Sequence, residues 1–330
     1  MIGRDLVEEG RPTRWIIDFA QREMTEAMRY EAAFERVKKL VMPDVLAKAE
    51  AEKKATGKES TRWTRMANRW WQFRDYQPGT MAAIAKLSRY IACPRVTKRP
   101  VFEFISADIH PDNALAVFAF ADDYSFGVLQ SGIHWAWFLA RCSTLKGDFR
   151  YTSDTVFDTF PWPQFEASRQ DRKGREGKGK ESLRPSREAI EQIRAVAESA
   201  RALRTLRREI MDANDWSLRD LYRTLETPGA NRLRDAHAAL DTAVRAAYGM
   251  TPAEDILSFL LKLNLELAAK EAKSEPITPP GLPAFVPEPQ SFVSNDCVRA
   301  PGEDDSNSQS YGAASHYHMG KEEGPPYRVK

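Results

Sequence analysis

The sequence predicts an α+β protein: a mixed α/β domain over residues 1–165, a flexible charged linker over 166–184, a small helical bundle over 185–272 and a disordered tail over 273–330. Three observations carry this. Strand-like and helix-period stretches alternate in the first half. No large apolar side chain occurs between Phe165 and Leu183, where charge and glycine dominate. Beyond residue 185, apolar residues recur every three or four positions, until a stretch rich in Pro, Ser and Gly begins at Pro276.

The elements follow in order. Arg14-Trp15-Ile16-Ile17-Asp18-Phe19 reads as a short, largely buried strand, and from Thr25 a helical pattern carries Tyr30, Phe34, Val37 and Val41 to Pro43. Pro43 opens a second, polar helix with little to bury. Thr80 caps a short helix bearing Met81, Ile84 and Leu87. Strand-like runs follow at Arg95–Thr97, Pro100–Ile105 and Ala114–Phe120. One helix spans Ser125 to Arg141, then a charged loop and a last strand near Asp154–Phe160. In the bundle, Ile190, Ile193, Val196 and Ala200 share a face, as do Leu233, Leu240, Val244 and Tyr248, ended by Gly249. Pro252 opens the last helix, with Ile256, Leu260, Leu263 and Leu267.

Composition narrows the class of protein. Three cysteines with no C-x-x-C spacing exclude a disulfide framework or zinc ribbon and favour a reducing cytoplasm. No signal-peptide core and no run of about 18 apolar residues is present, so no membrane partner is expected. Gly174 and Gly179-Lys180 almost spell a phosphate loop. Glu181 stands where Ser or Thr is needed and no buried strand precedes it, so that mechanism is missing.

The net charge of +2 hides a local imbalance. Between Thr61 and Pro100 stand Arg62, Arg65, Arg69, Arg74, Lys86, Arg89, Arg95, Lys98 and Arg99 against one acid, Asp75, interleaved with Trp63, Trp70, Trp71, Phe73, Tyr76 and Tyr90. Such a segment can hold phosphates and stack on bases. It equally describes a solvated helix face whose tryptophans belong to the core. In the later loop, Lys146 and Asp148 are two positions apart, so in extended chain both point the same way. Lysine suits the O6 and N7 acceptors of guanine and a carboxylate suits the N4 donor of cytosine, so the pair could read one G·C pair. Lys-Gly-Asp is also ordinary turn composition. Asp122-Asp123 is better read as a helix cap than as an acid pair, and His134 as a packed histidine than as a base. No catalytic set and no metal-ligand set can be assembled.

Several strings are more specific. Arg89-Tyr90-Ile91 with Pro94-Arg95-Val96-Thr97-Lys98, Phe126-Gly127-Val128-Leu129-Gln130-Ser131, Arg150-Tyr151-Thr152, Phe157-Asp158-Thr159-Phe160-Pro161 and Ser217-Leu218-Arg219-Asp220-Leu221-Tyr222 resemble the type IIL restriction–modification enzymes, the MmeI-like DNA adenine methyltransferases. The likeness runs over roughly residues 3 to 272 and falls on the target-recognition domain and the helical domain after it. Gly3-Arg4-Asp5-Leu6 and Arg14–Phe19 look like that family's exit from its catalytic domain.

The resemblance implies sequence-specific binding of duplex DNA, with Lys146 and Asp148 reading bases and Arg74, Arg95, Lys98, Arg99 and Arg150 holding the DNA. It implies adenine-N6 methylation dependent on S-adenosylmethionine. The Gly-rich cofactor turn and the [NDS]-P-P-[YF] loop do not occur here, the Pro-Pro pairs being Pro279-Pro280 and Pro325-Pro326. No catalytic residue and no cofactor is therefore expected in this chain. S-adenosylmethionine is expected on a catalytic domain supplied by a separately encoded methyltransferase subunit. A non-catalytic remnant or interaction protein, and an RNA-binding module, are the alternatives.

Overall fold

The computed structural model describes residues 1–73, 76–145, 147–165 and 186–301, and divides the chain into two compact units, Arg14–Ala82 and a larger one built from Met1–Thr13 and the chain after Ala83. The expected division at 165/185 is therefore not where the compact units part.

Among the described residues, the helices wholly within the smaller unit are α1 (Met24–Ala27), α2 (Glu31–Leu40), α3 (Met42–Thr56) and α4 (Arg62–Ala67). Its core is Phe19, Phe34, Val45, Met66, Trp70 and Trp71, with the Phe34 and Trp70 rings 5.2 Å apart. The Trp71 indole and the Gln72 amide both donate to the Arg22 carbonyl at 2.9 Å, so the buried indole N–H is satisfied. Pro43 sits in the first turn of α3, as expected, and Gly57 closes it at φ 65°. Thr61 and Thr64 exchange side-chain and backbone hydrogen bonds at the start of α4. The helix expected from Thr25 to Pro43 is broken at Tyr30, which has a non-helical φ of −96° and ψ of 63°. Arg14–Phe19 forms no strand. α5 (Pro78–Ile84) crosses the boundary between units, with Thr80 inside the helix rather than capping it.

The larger unit is organised around β1 (Arg89–Pro94), which is buried at every position. After it come β2 (Val96–Thr97), β3 (Glu103–Ser106), β4 (Leu115–Phe118), α6 (Asp123–Gln130), α7 (Gly132–Arg141), β5 (Ser143–Leu145) and β6 (Asp148–Arg150). One antiparallel sheet has the order β3-β1-β4 and a second the order β2-β6-β5. Arg95 joins them through its backbone. Its N–H donates to Ala114 O at 2.8 Å and its carbonyl accepts from Tyr151 N–H at 2.7 Å. The single helix expected over Ser125–Arg141 is two, because Ser131 adopts an extended conformation and caps α7. The strand expected near Asp154–Phe160 is a π-helical turn, Ser153–Phe157, whose Phe157 ring packs 5.3 Å from Phe118.

The C-terminal helices are α8 (Arg187–Asn214), α9 (Leu218–Arg223), α10 (Arg232–Tyr248) and α11 (Ile256–Ala272). Gly249 ends α10 at φ 66°, while α11 is capped by Asp255, three residues after the expected Pro252. The helices are not a separate bundle. Ile193, Val196, Ala200 and Leu203 of α8 share one core with Phe104, Phe118 and Phe126. At the crossing, a Cβ on Gly127 would lie 2.7 Å from Val196 Cγ1, so only glycine lets α6 and α8 approach this closely.

The tail expected to be disordered from 273 is ordered as far as it is described. Phe292 and Val286 are buried, and Val298 pairs with β3, its N–H donating to Phe104 O at 2.8 Å. Composition undervalued this segment because its anchors are polar: Ser294 and Asp296 are partners of buried arginines. The residues of the expected linker, and those after 301, lie outside the described residues.

Candidate nucleic-acid interface

β5 and β6 form a hairpin in which Ser143 faces Arg150, Thr144 faces Phe149 and Leu145 faces Asp148. Between the strands Gly147 takes φ +90°, a conformation that glycine adopts without strain. β2 pairs on the other side of β6, with Val96 opposite Arg150 and Thr97 opposite Phe149. Side chains opposite one another share a face, so the register sorts them. Phe149 faces inward, its ring 6.1 Å from Trp135 and 6.0 Å from Phe138. The outer face then carries Val96, Ser143, Leu145, Asp148 and Arg150. Arg150 is exposed, and Val96 and Leu145 are 40% and 44% exposed. Lys98, just beyond β2, is exposed as well. An aromatic anchor beneath a short ribbon thus holds an acid, two cations and two apolar side chains outward.

The expected DNA contacts are not all placed there. Lys146 and Arg74 lie outside the described residues. Arg95 is half-buried and donates from Nη2 to Leu115 O at 3.3 Å. Arg99 lies over the Trp135 and Tyr222 rings, 5.9 and 5.7 Å from their centroids, as a cation packed between elements. The structure brings Asp148, Arg150 and Lys98 to one surface, and commits the Arg95 and Arg99 head groups to protein contacts. The basic run also splits. Arg62, Arg65 and Arg69 are exposed on the smaller unit, whereas Lys86 to Arg99 belong to the larger one. Trp70, Trp71 and Tyr90 are core residues, so the reading of these aromatics as core holds.

The weaker candidates resolve as structure. Asp122 caps α6, its Oδ1 accepting from Ser125 N–H at 2.7 Å. Asp123, fully buried, accepts from Arg89 (3.0 Å), Arg201 (2.6 Å), Arg204 and the Ser294 N–H (3.2 Å). Arg204 Nε also pairs with Asp296 at 2.7 Å. Burial would raise the Asp296 carboxyl, but the Arg204 hydrogen bond and charge, with help from Ser294 and Arg89, hold it well below the usual carboxylate range. Beside this cluster, Arg207 pairs with Glu103 at 2.8 Å and donates to the Tyr222 hydroxyl. The sequence reading missed this ionic core. Its signal was Arg201, Arg204 and Arg207 repeating at helical spacing beside the apolar face of α8.

His134 is packed. Its Nδ1–H donates to Leu129 O (2.8 Å) and its Nε2 accepts from the Tyr151 hydroxyl (3.0 Å). Burial pushes it down to about 4. His237 meets the Tyr222 hydroxyl at 2.8 Å, and burial, then the charges of Arg207 and Arg99, push it to about 3. Burial raises the Cys93 and Cys142 thiols, away from nucleophilic character. Among the described residues no group of His, Cys, Asp and Glu could hold a metal ion, and no helix is long and apolar enough to cross a membrane.

Comparison with known proteins identifies similar chains. Residues 8–164 match the family model described as "MmeI, target recognition domain". The chain is 25% identical over 249 residues to DNA methyltransferase A of Bacillus subtilis (strain 168), a match covering 73% of this chain and 24% of that protein. It is similar in fold to the solved structure of the type IIL restriction–modification enzyme MmeI in complex with DNA, at a TM-score of 0.54 and 21% identity, covering 82% of this chain and 30% of that one. The chain thus spans about a quarter of the curated relative's length.

Proposed function

We infer that this chain, whose residues 8–164 match the MmeI target-recognition domain, binds duplex DNA sequence-specifically as the recognition part of a type II restriction–modification adenine-N6 methyltransferase. The observation that supports this best is the β5–β6 hairpin: a short ribbon, pinned from below by Phe149, that turns Asp148 and Arg150 outward beside Lys98. Arg150 and Lys98 hold phosphates, and Asp148 with Lys146 reads one G·C pair from the major groove.

The role of these residues is selection and grip. Asp122 serves as a helix cap, Asp123 as an ion-pair partner and His134 as a packed group. Residues 1–330 contain no Gly-rich turn to cradle S-adenosylmethionine, and the cofactor is assigned to the methyltransferase's catalytic domain. The purified chain is expected to bind duplex DNA with an affinity that falls steeply with salt, and to show no S-adenosylmethionine binding in calorimetry. Salt-insensitive binding, or none at low ionic strength, would refute the proposal. With a catalytic partner present, exchanging Lys146 and Asp148 for a Glu/Arg pair should change preference at one base pair.

A further inference from the structure

We propose that Leu145 is a further specificity residue: its side chain meets the C5-methyl group of a thymine in the base pair next to the G·C pair assigned to Asp148, and turns away G·C at that position. The proposal rests on the reading of the hairpin as a surface that meets bases in the major groove.

The placement of Leu145 carries it. Leu145 is the last residue of β5 and lies directly opposite Asp148 on β6. Opposite residues of an antiparallel pair project to the same side, with Cβ atoms about 5 Å apart. Successive base pairs are about 3.4 Å apart along the duplex. A surface reached by the Asp148 carboxylate is therefore reached by Leu145 about one base pair away. The inner face of the hairpin is taken up by Phe149, whose ring turns toward Trp135 and Phe138. Leu145 stands on the other face and is 44% exposed.

A lone exposed leucine on a protein surface needs no explanation. This one stands on the face that presents Asp148, Arg150 and Ser143, with Val96 in the row beyond, beside Arg150. Groove chemistry then names its occupant. On the major-groove edge guanine offers N7 and O6, cytosine and adenine offer amino groups, and thymine offers O4 and its C5-methyl. The methyl gains by leaving water against a leucine. The amino and carbonyl groups of a G·C pair would lose water there and find no partner. Leu145 thus selects both by attraction to thymine and by exclusion of G·C.

Selection from a pool of random duplexes with the full chain tests this. The expected site holds a G·C pair, changed by Lys146→Glu with Asp148→Arg, and a fixed thymine in the neighbouring pair. Uracil in place of that thymine removes only the methyl and should weaken binding by the native chain about fourfold. Cytosine there should weaken it at least about fivefold. Leu145→Ala should bind the thymine and uracil duplexes alike while keeping the G·C preference. The uracil duplex alters the DNA alone, so that comparison is independent of how the variant folds. Native binding indifferent to uracil at the neighbouring pair, or a Leu145→Ala chain that separates thymine from uracil as the native chain does, would overturn the assignment and leave the G·C reading standing. A chain that selects no sequence would overturn both.

Discussion

Replacing Asp123 by Asn removes one charge and almost no volume from the centre of the ionic core. In the native chain Asp123 is fully buried and faces Arg89 and Arg204, whose side chains are 2% and 3% exposed, and Arg201 nearer the surface. After substitution, Arg89 and Arg204 share Asp296 alone. At the 3.0 Å separation of Arg89 and Asp123, the lost attraction is roughly 5 kcal/mol at an effective dielectric constant of about 20. Leaving a buried ion without its partner costs about 3–5 kcal/mol. An asparagine oxygen still accepts hydrogen bonds, so the loss should fall near 3 kcal/mol. Native-state hydrogen exchange reads it in place. The amides of β1, of Ser106 and of Val298 should exchange about 100-fold faster in Asp123→Asn. Ser106 and Val298 belong because the C-terminal segment is held by this cluster and by its bridge to β3. A change under about fivefold would refute the reasoning, because the arginines would then not depend on the Asp123 charge.

Two further expectations follow from the same packing. Gly127→Ala must place a methyl 2.7 Å from Val196 Cγ1 and 3.1 Å from Val196 O. The overlap outweighs the better helix propensity of alanine, and stability should fall by about 1–2 kcal/mol in urea unfolding, whereas a gain would mean that α6 and α8 are not in close contact. Acidification should destabilise the chain through His134 and His237. Both are held below the ordinary histidine value of about 6.5, at about 4 and about 3, so both stay neutral in the native state while the unfolded chain takes up protons. Their contribution is complete above pH ~6.5 and is lost as pH falls toward the folded values, at about 1.4 kcal/mol per unit for each group. Urea midpoints at pH 7.5, 6.5 and 5.5 should fall less steeply in His134→Gln than in the native chain; identical slopes would contradict the assignment. The difference between the two proteins is the informative quantity, since Glu103 and Asp241, raised by burial, act in the opposite sense.

What could be read from the sequence was the part governed by local chemistry. Pro43, Asp122 and Gly249 mark helix ends, and the structure uses each in that way. The apolar stripe of α8 was visible, but not what it packs against. Its contact with α6 depends on a single missing Cβ at Gly127, which joins helices and sheets into one core. β1 escaped notice because it is buried throughout: Tyr90, Ile91, Ala92 and Cys93 do not alternate, and they follow Arg89, which looked like part of a solvated basic run. Arg89 is instead inside, neutralised by Asp123, 34 residues further along, and by Asp296, 207 residues further along. Long-range charge pairing of this kind leaves no local pattern. Arg14–Phe19 shows the converse: its strand composition is plain, but nothing in that stretch says whether a neighbour exists to pair with it. At the candidate interface the sequence located the loop, while the register of β2, β6 and β5 was needed to place Arg150 with Asp148 and to set Arg99 apart.

The proposed role of the hairpin surface in DNA binding stands or falls on its cations. Duplex-DNA affinity measured against salt concentration for the native chain and for Lys98→Ala/Arg150→Ala should give two lines of different slope. Each phosphate contact removed makes log K against log salt shallower by about 0.9, so the double variant should lose about 1.8 in slope and bind more weakly at every salt concentration. Parallel lines of equal affinity would contradict the assignment and place the DNA on another face.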